Sequence, residues 1–405
     1  MHNKKLCLST VVACLVWGGC ASAHADAFSE AVAGGKASAD IRVRFESVEQ
    51  ENNLDDASAL TERTRIAYTT GSINGFSAMV EFEDVRIVGG VDEYTVGPSG
   101  FNPGEYSVIA DPETTELDQA FIAYKSEGFS AKLGRQVMTF DNHRFVGHVG
   151  WRQDRQTFDG AAFSFTHDLM TLSYNFIGQR NRIFAEDADV NANDHLLNAA
   201  FKIGPGTLTA YAYLLEIDDD SQNALDTFGL RYAASVDKLS FAAEFATQSQ
   251  EAEVGPATVD VDSDYMMAEL GYDFGVVNVK AHYESLGAGQ VEWNGLALGN
   301  VGFATPLATL HKFNGWADIF LNTPEDGLED MSASIGGKVA GGVWSVTYHD
   351  FSAEDGGASY GSELDAVYSR NFGKYYNAGI KYADYSADDF AVDTTKLWVW
   401  VGAKF

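Results

Sequence analysis

Leu397-Trp-Val-Trp-Val-Gly-Ala-Lys-Phe405, LWVWVGAKF, is the stretch on which the fold of this chain turns. At a strand's period of two, Leu397, Val399, Val401, Ala403 and Phe405 fall on one face, and Trp398, Trp400, Gly402 and Lys404 on the other. The first face suits hydrocarbon; the second carries the polar groups. The last strand of a soluble sandwich alternates in the same way, so the choice between the two rests on the remainder of the chain.

Working back from that segment, similar runs of about ten residues begin near Ser38, Thr61, Gly75, Glu116, Gly128, Thr157, Leu169, Asp194, Gly206, Leu225, Leu239, Asp264, Val276, Met331, Gly342, Gly361, Tyr375 and Thr394. That makes eighteen. The connections alternate between turns of a few residues, such as Ser126-Glu127 and Gly204-Pro205, and long loops, such as Val85 to Thr115, Val137 to Gln156 and Gly287 to Asp330. Short turns at one end, long loops at the other and an even strand count specify a transmembrane antiparallel β-barrel with both termini on the periplasmic side. All seven prolines sit in connections, as strands with neighbours on both edges require. Aromatic residues near strand ends (Tyr272, Phe274, Tyr375, Tyr376, Phe405) fit an interfacial girdle, and no segment reads as a helix of the mature chain.

At the other end, Lys4-Lys5, an apolar run from Leu6 to Trp17 and the Ala-x-Ala pattern of Ala21 to Ala25 predict a secretory signal over residues 1–25. The barrel then occupies 26–405 in the bacterial outer membrane, with outer-membrane lipid around it and the barrel-assembly machinery as a partner. Cys7, Cys14 and Cys20 all fall within the leader, so disulfides play no part in the mature fold. The formal charge of -31 excludes nucleic acid as a partner.

Charged residues on lumenal faces are the candidate site. Arg42 and Arg44 share one face of the first strand, Arg63 and Arg65 one face of the second, and both pairs must point away from lipid. The stretch Gly134 to Ala161 adds Arg135, Arg144, Arg152 and Arg155. Guanidinium groups hold carboxylates through paired hydrogen bonds, so these eight arginines form either a cationic pore lining or a set of ion pairs with Glu46, Glu81 and Glu83. Within the long loop Gly287 to Asp330, the strand-like run Lys312 to Leu321 would make a nineteenth spanning strand; it is expected instead to fold into the pore or over its mouth.

The stretches GRQVMTFDNHRFVG, RQTFDGA, HKFNGWADIFLNTPEDGLED and GSELD resemble the motifs of the alginate-export family of outer-membrane β-barrels. The terminal phenylalanine, Phe405, resembles the assembly signal of such proteins. The resemblance implies an eighteen-stranded barrel that carries an acidic polysaccharide through an arginine-lined constriction gated by loops. Arg135, Arg144 and Arg155 then take pore positions, and His311, Lys312, Trp316 and Asp318 belong to the pore loop. Acidic outer-loop residues such as Asp92, Glu93, Glu251 and Asp260 would repel a polyanion, which leaves a diffusion porin for small solutes as the alternative. No nucleophile, metal-protease or phosphate-loop motif is present, so the chain reads as a passive channel without cofactor rather than an enzyme. Asp187-x-Asp189-x-Asn191 opens like a calcium loop but lacks glycine at its sixth position and glutamate at its twelfth; no metal is expected there.

Overall fold

A computed structural model describes residues 21–97, 101–217, 224–254 and 257–405; most of the expected leader lies outside the described residues. One helix, α1 (Ala21–Ala33), precedes the first strands: β1 (Lys36–Gln50), β2 (Ala57–Thr69), β3 (Phe76–Glu93), β4 (Thr114–Lys125), β5 (Phe129–Gln136), β6 (Thr157–His167), β7 (Met170–Asn181), β8 (Val190–Ile203), β9 (Gly206–Leu215) and β10 (Leu225–Val236). The second half holds β11 (Leu239–Val254), β12 (Ala257–Asp273), β13 (Val277–Leu286), β14 (Ala288–Trp293), β15 (Leu296–Gly302), β16 (Leu328–Val339), β17 (Gly342–Ser352), β18 (Ser359–Phe372), β19 (Tyr376–Ala387) and β20 (Thr394–Lys404).

All but β14 and β15 form one 18-stranded sheet. Each strand pairs antiparallel with the next, β13 pairs with β16 across the long loop, and β20 pairs with β1 from Asp40↔Lys404 to Gln50↔Thr394, which closes the barrel. Closure leaves no free edge. The opening nine residues are therefore half of the seam. Val399 and Val401 stand exposed on the outer wall, while Trp398 is fully buried inside it. The same alternation runs round the barrel: Phe228, Leu230, Phe245, Met266, Leu270, Met331, Ile335 and Val343 are exposed outward, and Arg44, Glu83, Glu244, Glu284 and Asp365 are buried inward. A wall of exposed large apolar side chains is stable only against lipid.

Two features depart from the expected pattern. α1 is a helix where none was anticipated; its alanine-rich sequence favours that conformation, and the amide of Gly71 in the first short turn donates to Ala31 O at 2.8 Å. Among the described residues no helix is long and apolar enough to cross a membrane. The lumen, moreover, is not uniformly wet. Tyr211, Tyr213, Tyr265, Phe303, Phe320, Phe351, Tyr385 and Trp398 form an apolar core inside the barrel, because inward loops cover the wall there.

Phe405 sits at the seam: its amide donates to Ala39 O at 2.9 Å and its ring stacks on Tyr375 at 5.4 Å between centroids. Deleting Phe405 is expected to reduce the yield of heat-modifiable barrel in outer-membrane fractions far more than deleting Glu292, which lies in the β14–β15 hairpin. Equal yields from the two deletions would remove any part for Phe405 in assembly.

Candidate functional site

β5 ends at Gln136 after only 8 residues, so residues 137–156 leave the wall early and turn into the lumen. There they meet residues 303–327, which descend from β15. The two segments hold each other through their backbones: Gly147 N donates to Leu307 O at 2.7 Å and Thr309 N to His143 O at 3.0 Å. The run Lys312 to Leu321 therefore does lie inside the barrel, but it is not strand. Leu310–Lys312 is a single 3-10 turn, and Asn314, Gly315 and Asp318 take φ of 55°, 83° and 62°. Asparagine, glycine and aspartate tolerate that left-handed region, which breaks the extended run. Gly315 has a second constraint, because a Cβ there would strike the Glu363 carboxylate that accepts the amides of Trp316 and Ala317.

Asp318 is the main fastening. It accepts from His311 Nδ1 at 2.6 Å, Arg152 at 2.9 Å and Lys396 Nζ at 3.0 Å, tying both inward segments to β20. Beside it, Lys381 Nζ donates to His311 Nε2 at 2.7 Å and lies 3.7 Å from the Trp316 ring centre and 4.3 Å from that of Trp151. Three cationic and aromatic partners from different elements thus converge on one short piece of loop. Lys381, Lys396, Trp151, Trp398 and Glu363 were not among the expected site residues, although Trp151 lies in the stretch Gly134 to Ala161, Glu363 in GSELD, and Lys396 and Trp398 on the lumenal face of the last strand.

Seven of the eight expected arginines bond to carboxylates. Arg44 pairs with Asp111 and Glu46, Arg63 with Asp40 at 2.8 Å, Arg65 with Glu83, Arg135 with Asp159 at 2.7 Å, Arg144 with Glu284 at 2.8 Å, Arg152 with Glu46 at 3.0 Å and Arg155 with Glu81 and Asp118. Arg42 instead donates to the carbonyls of Trp151 (2.8 Å) and Arg152 (2.7 Å). Arg44, Arg63, Arg65, Arg144 and Arg152 are buried, so the visible work of most of the set is to hold loops against the wall. In the stretch Asp187 to Asn191, Asp189 accepts the amide of Arg182 at 2.9 Å.

The fastening around Asp318 is sensitive to acid. Burial, with the Lys381 ammonium beside it, pushes His311 down to about 3 despite Asp318, and Nε2 accepting from Lys381 leaves the ring proton on Nδ1. Burial alone would raise the Asp318 carboxyl, yet His311, Lys396 and Arg152 hold it well below its usual range. Both groups are depressed, so the stability they give the inward loop is present above their usual values and is lost as pH falls. Conductance is expected to rise as pH is lowered from about 6.5 towards 3, the interval between the free and the seated histidine. A flat conductance profile over that interval would show that the loop does not respond to this pair.

Below the loop, toward the short-turn end, lies a cavity of 310 Å³ roofed by Lys312, Phe313, Asn314 and Trp316. Its wall carries Arg231, Glu269, Lys280, His282 and Glu284 from β10, β12 and β13, and Asp330, His349 and Asp365 from β16, β17 and β18.

A closed barrel with loops pinned into its lumen is the arrangement of a restricted outer-membrane channel. The family described as Alginate export matches residues 36–284. The chain belongs to the alginate export family. It is a bacterial outer-membrane β-barrel channel, not an enzyme. Solved structures similar to this alginate-export channel include OccAB1 of Acinetobacter baumannii, with 13% identity, a TM-score of 0.68 and coverage of 93% of this chain and 97% of that one. OccAB4 of the same organism has 11% identity, a TM-score of 0.67 and coverage of 92% and 98%. OpdK of Pseudomonas aeruginosa, solved with vanillate, has 11% identity, a TM-score of 0.66 and coverage of 91% and 98%. No curated protein matches the chain by sequence.

Proposed function

We propose that this alginate-export-family channel passes small anionic carbohydrates, uronates or short oligouronates, rather than admitting solutes without regard to charge. The observation that carries the reading is a narrowed lumen in which three cations at the inward loops bond to no carboxylate. Arg42 donates to carbonyls and Gln153, Arg182 to Gln156 (2.7 Å) and Pro306 O (3.0 Å), and Lys312 to Asn142 O (2.8 Å). Carbonyl oxygens leave a cation's net charge uncompensated, so an entering carboxylate is attracted where the wall arginines, already paired, attract little. Passage of a long polymer would require both inward segments to leave. The neighbour solved with vanillate supports the choice of a carboxylate, since vanillate carries one.

Reversal potentials in a salt gradient test this. The wild-type channel is expected to prefer anions despite the chain's charge of -31, because the acidic outer loops are screened beyond ~8 Å at physiological salt while the lumenal cations act at short range. A cation-selective channel would replace this reading with that of a general diffusion porin.

A further inference from the structure

The aromatic belt at the short-turn end of the wall has a gap. On one side of it Phe76 of β3, Tyr124 of β4 and Phe129 of β5 follow one another with ring centres 4.7 and 6.3 Å apart. On the other side Phe405 stacks on Tyr375 at 5.4 Å and meets Tyr376 at 6.3 Å. Aromatic side chains at the ends of membrane strands mark the level of the lipid headgroups. β1 lies between the two groups, and at this end it turns only Ala37 and Ala39 outward, in alternation with the lumenal Asp40, Arg42 and Arg44.

α1 is fastened at this gap. The Tyr68 hydroxyl donates to Val32 O, and Gly71 N donates to Ala31 O at 2.8 Å. In β2, Tyr68 alternates with the buried Arg65 and Ala67, and it shares the lipid-facing side with the exposed Ile66. Its ladder partners are Ala37 of β1 and Val80 of β3. The helix is therefore held from the outside of the wall, not from the lumen. The approach is close, since a Cβ on Gly35 would strike the Tyr68 hydroxyl.

Within residues 26–33, which lie beyond the expected leader, Ala27, Phe28, Ala31 and Val32 fall within about 140° of the helix circumference. Asp26, Ser29 and Glu30 occupy the remainder. Ala27 and Ala31 are half-buried, whereas Phe28 is 65% exposed and Val32 40%. These two side chains, one helical turn apart, continue the apolar surface that Ile66 and Tyr68 present to lipid.

We infer that α1 is an in-plane membrane anchor: Phe28 and Val32 enter the periplasmic leaflet at the boundary between headgroups and acyl chains, with Ser29 and Glu30 toward water. The occupant of the exposed face is phospholipid, and Phe28 completes the aromatic belt across β1. The anchor acts on the seam. α1 passes through Gly34-Gly35 directly into β1, the strand that closes the barrel against β20. A helix held in the interface opposes fraying of β1 from its free end, which two glycines alone would permit.

The test uses the full chain, exported to and purified from outer membranes, in phospholipid nanodiscs. Cys7, Cys14 and Cys20 fall within the expected leader, so one introduced cysteine carries a nitroxide label by itself. Labels at Phe28→Cys and Val32→Cys are expected to collide more with oxygen, which concentrates in lipid, than with a water-soluble nickel chelate. A label at Ser29→Cys should show the reverse. Val32→Cys keeps Phe28 in place, so one of the two labels always reports on a helix that retains its aromatic side chain. Labels at 28 and 32 that meet the chelate as freely as the one at 29 would overturn the proposal by placing this face in water. Labels shielded from both reagents would overturn it by placing a protein surface, a second copy or another partner, over the face. Anchoring has its own readout, because Lys36 is exposed where α1 joins β1. Changing Phe28→Asp and Val32→Asp together should speed tryptic cleavage after Lys36 on the order of tenfold, the scale of burying one phenylalanine. An unchanged rate would overturn the anchor.

Discussion

Asp318→Ala is expected to raise single-channel conductance severalfold and to lengthen the open periods, because it removes the acceptor that joins His311, Arg152 and Lys396. Arg152 keeps Glu46 at 3.0 Å, but Lys396 is left buried with no carboxylate bonded to it. An unpaired buried charge costs about 3–5 kcal/mol, which is roughly two to three and a half powers of ten in the equilibrium between a seated and a released loop. The seated state should cease to dominate. Deleting Lys312 to Leu321 sets the upper limit for the same change, and planar-bilayer recordings measure both. An Asp318→Ala barrel that assembles fully and conducts like wild type would mean that residues 303–327 do not obstruct the current path. Asp318→Asn should fall between, since an amide still accepts a hydrogen bond but carries no charge.

The second large effect concerns Arg144 and Glu284. Arg144 is buried and donates to Glu284 at 2.8 Å, Thr305 at 3.2 Å and Asn314 at 3.2 Å, so it locks the segment 137–156 to β13 and to the pore loop together. Arg144→Ala leaves Glu284 in the lumenal core with Tyr265 and Asn314 as its remaining hydrogen-bond donors. The expected loss is about 3–5 kcal/mol, read as a lower midpoint for release of the loops in urea and as new protease cleavage between 137 and 156. Replacing both residues by methionine should cost less than the single change, because no charge is then stranded. If the double variant is as loose as Arg144→Ala, the contribution of this pair is packing and not charge.

These expectations depend on contacts that no spacing in the sequence announces. Arg144 and Glu284 lie 140 residues apart, and Arg152 and Glu46 lie 106 apart. Reading the arginines as a cluster identified which side chains enter the lumen. It could not identify their partners. Asp111 shows the difficulty: it sits in the long connection Val85 to Thr115, yet that loop carries it down to Arg44 and to the amide of Gln153 at 2.9 Å. In the same way Lys312 to Leu321 alternates like a strand, but its apolar residues serve two different surfaces, with Ala317 and Phe320 buried in the lumenal core and Lys312 facing the cavity.

By itself the sequence determined the barrel, its eighteen strands, the end at which the long loops lie and which face of each strand meets lipid. All of these follow from a period of two and from turn chemistry, which are local properties that each segment of about ten residues carries alone. Tertiary structure alone decided whether the inward charges are free or spent. The field at a lumenal site depends on distances of a few ångströms between side chains brought together by closure of the sheet and insertion of two loops, and Coulomb energy varies too steeply over such distances for residue type to stand in for position. Hence seven of eight arginines bond to carboxylates, while Arg42 and Lys312 donate to backbone carbonyls instead.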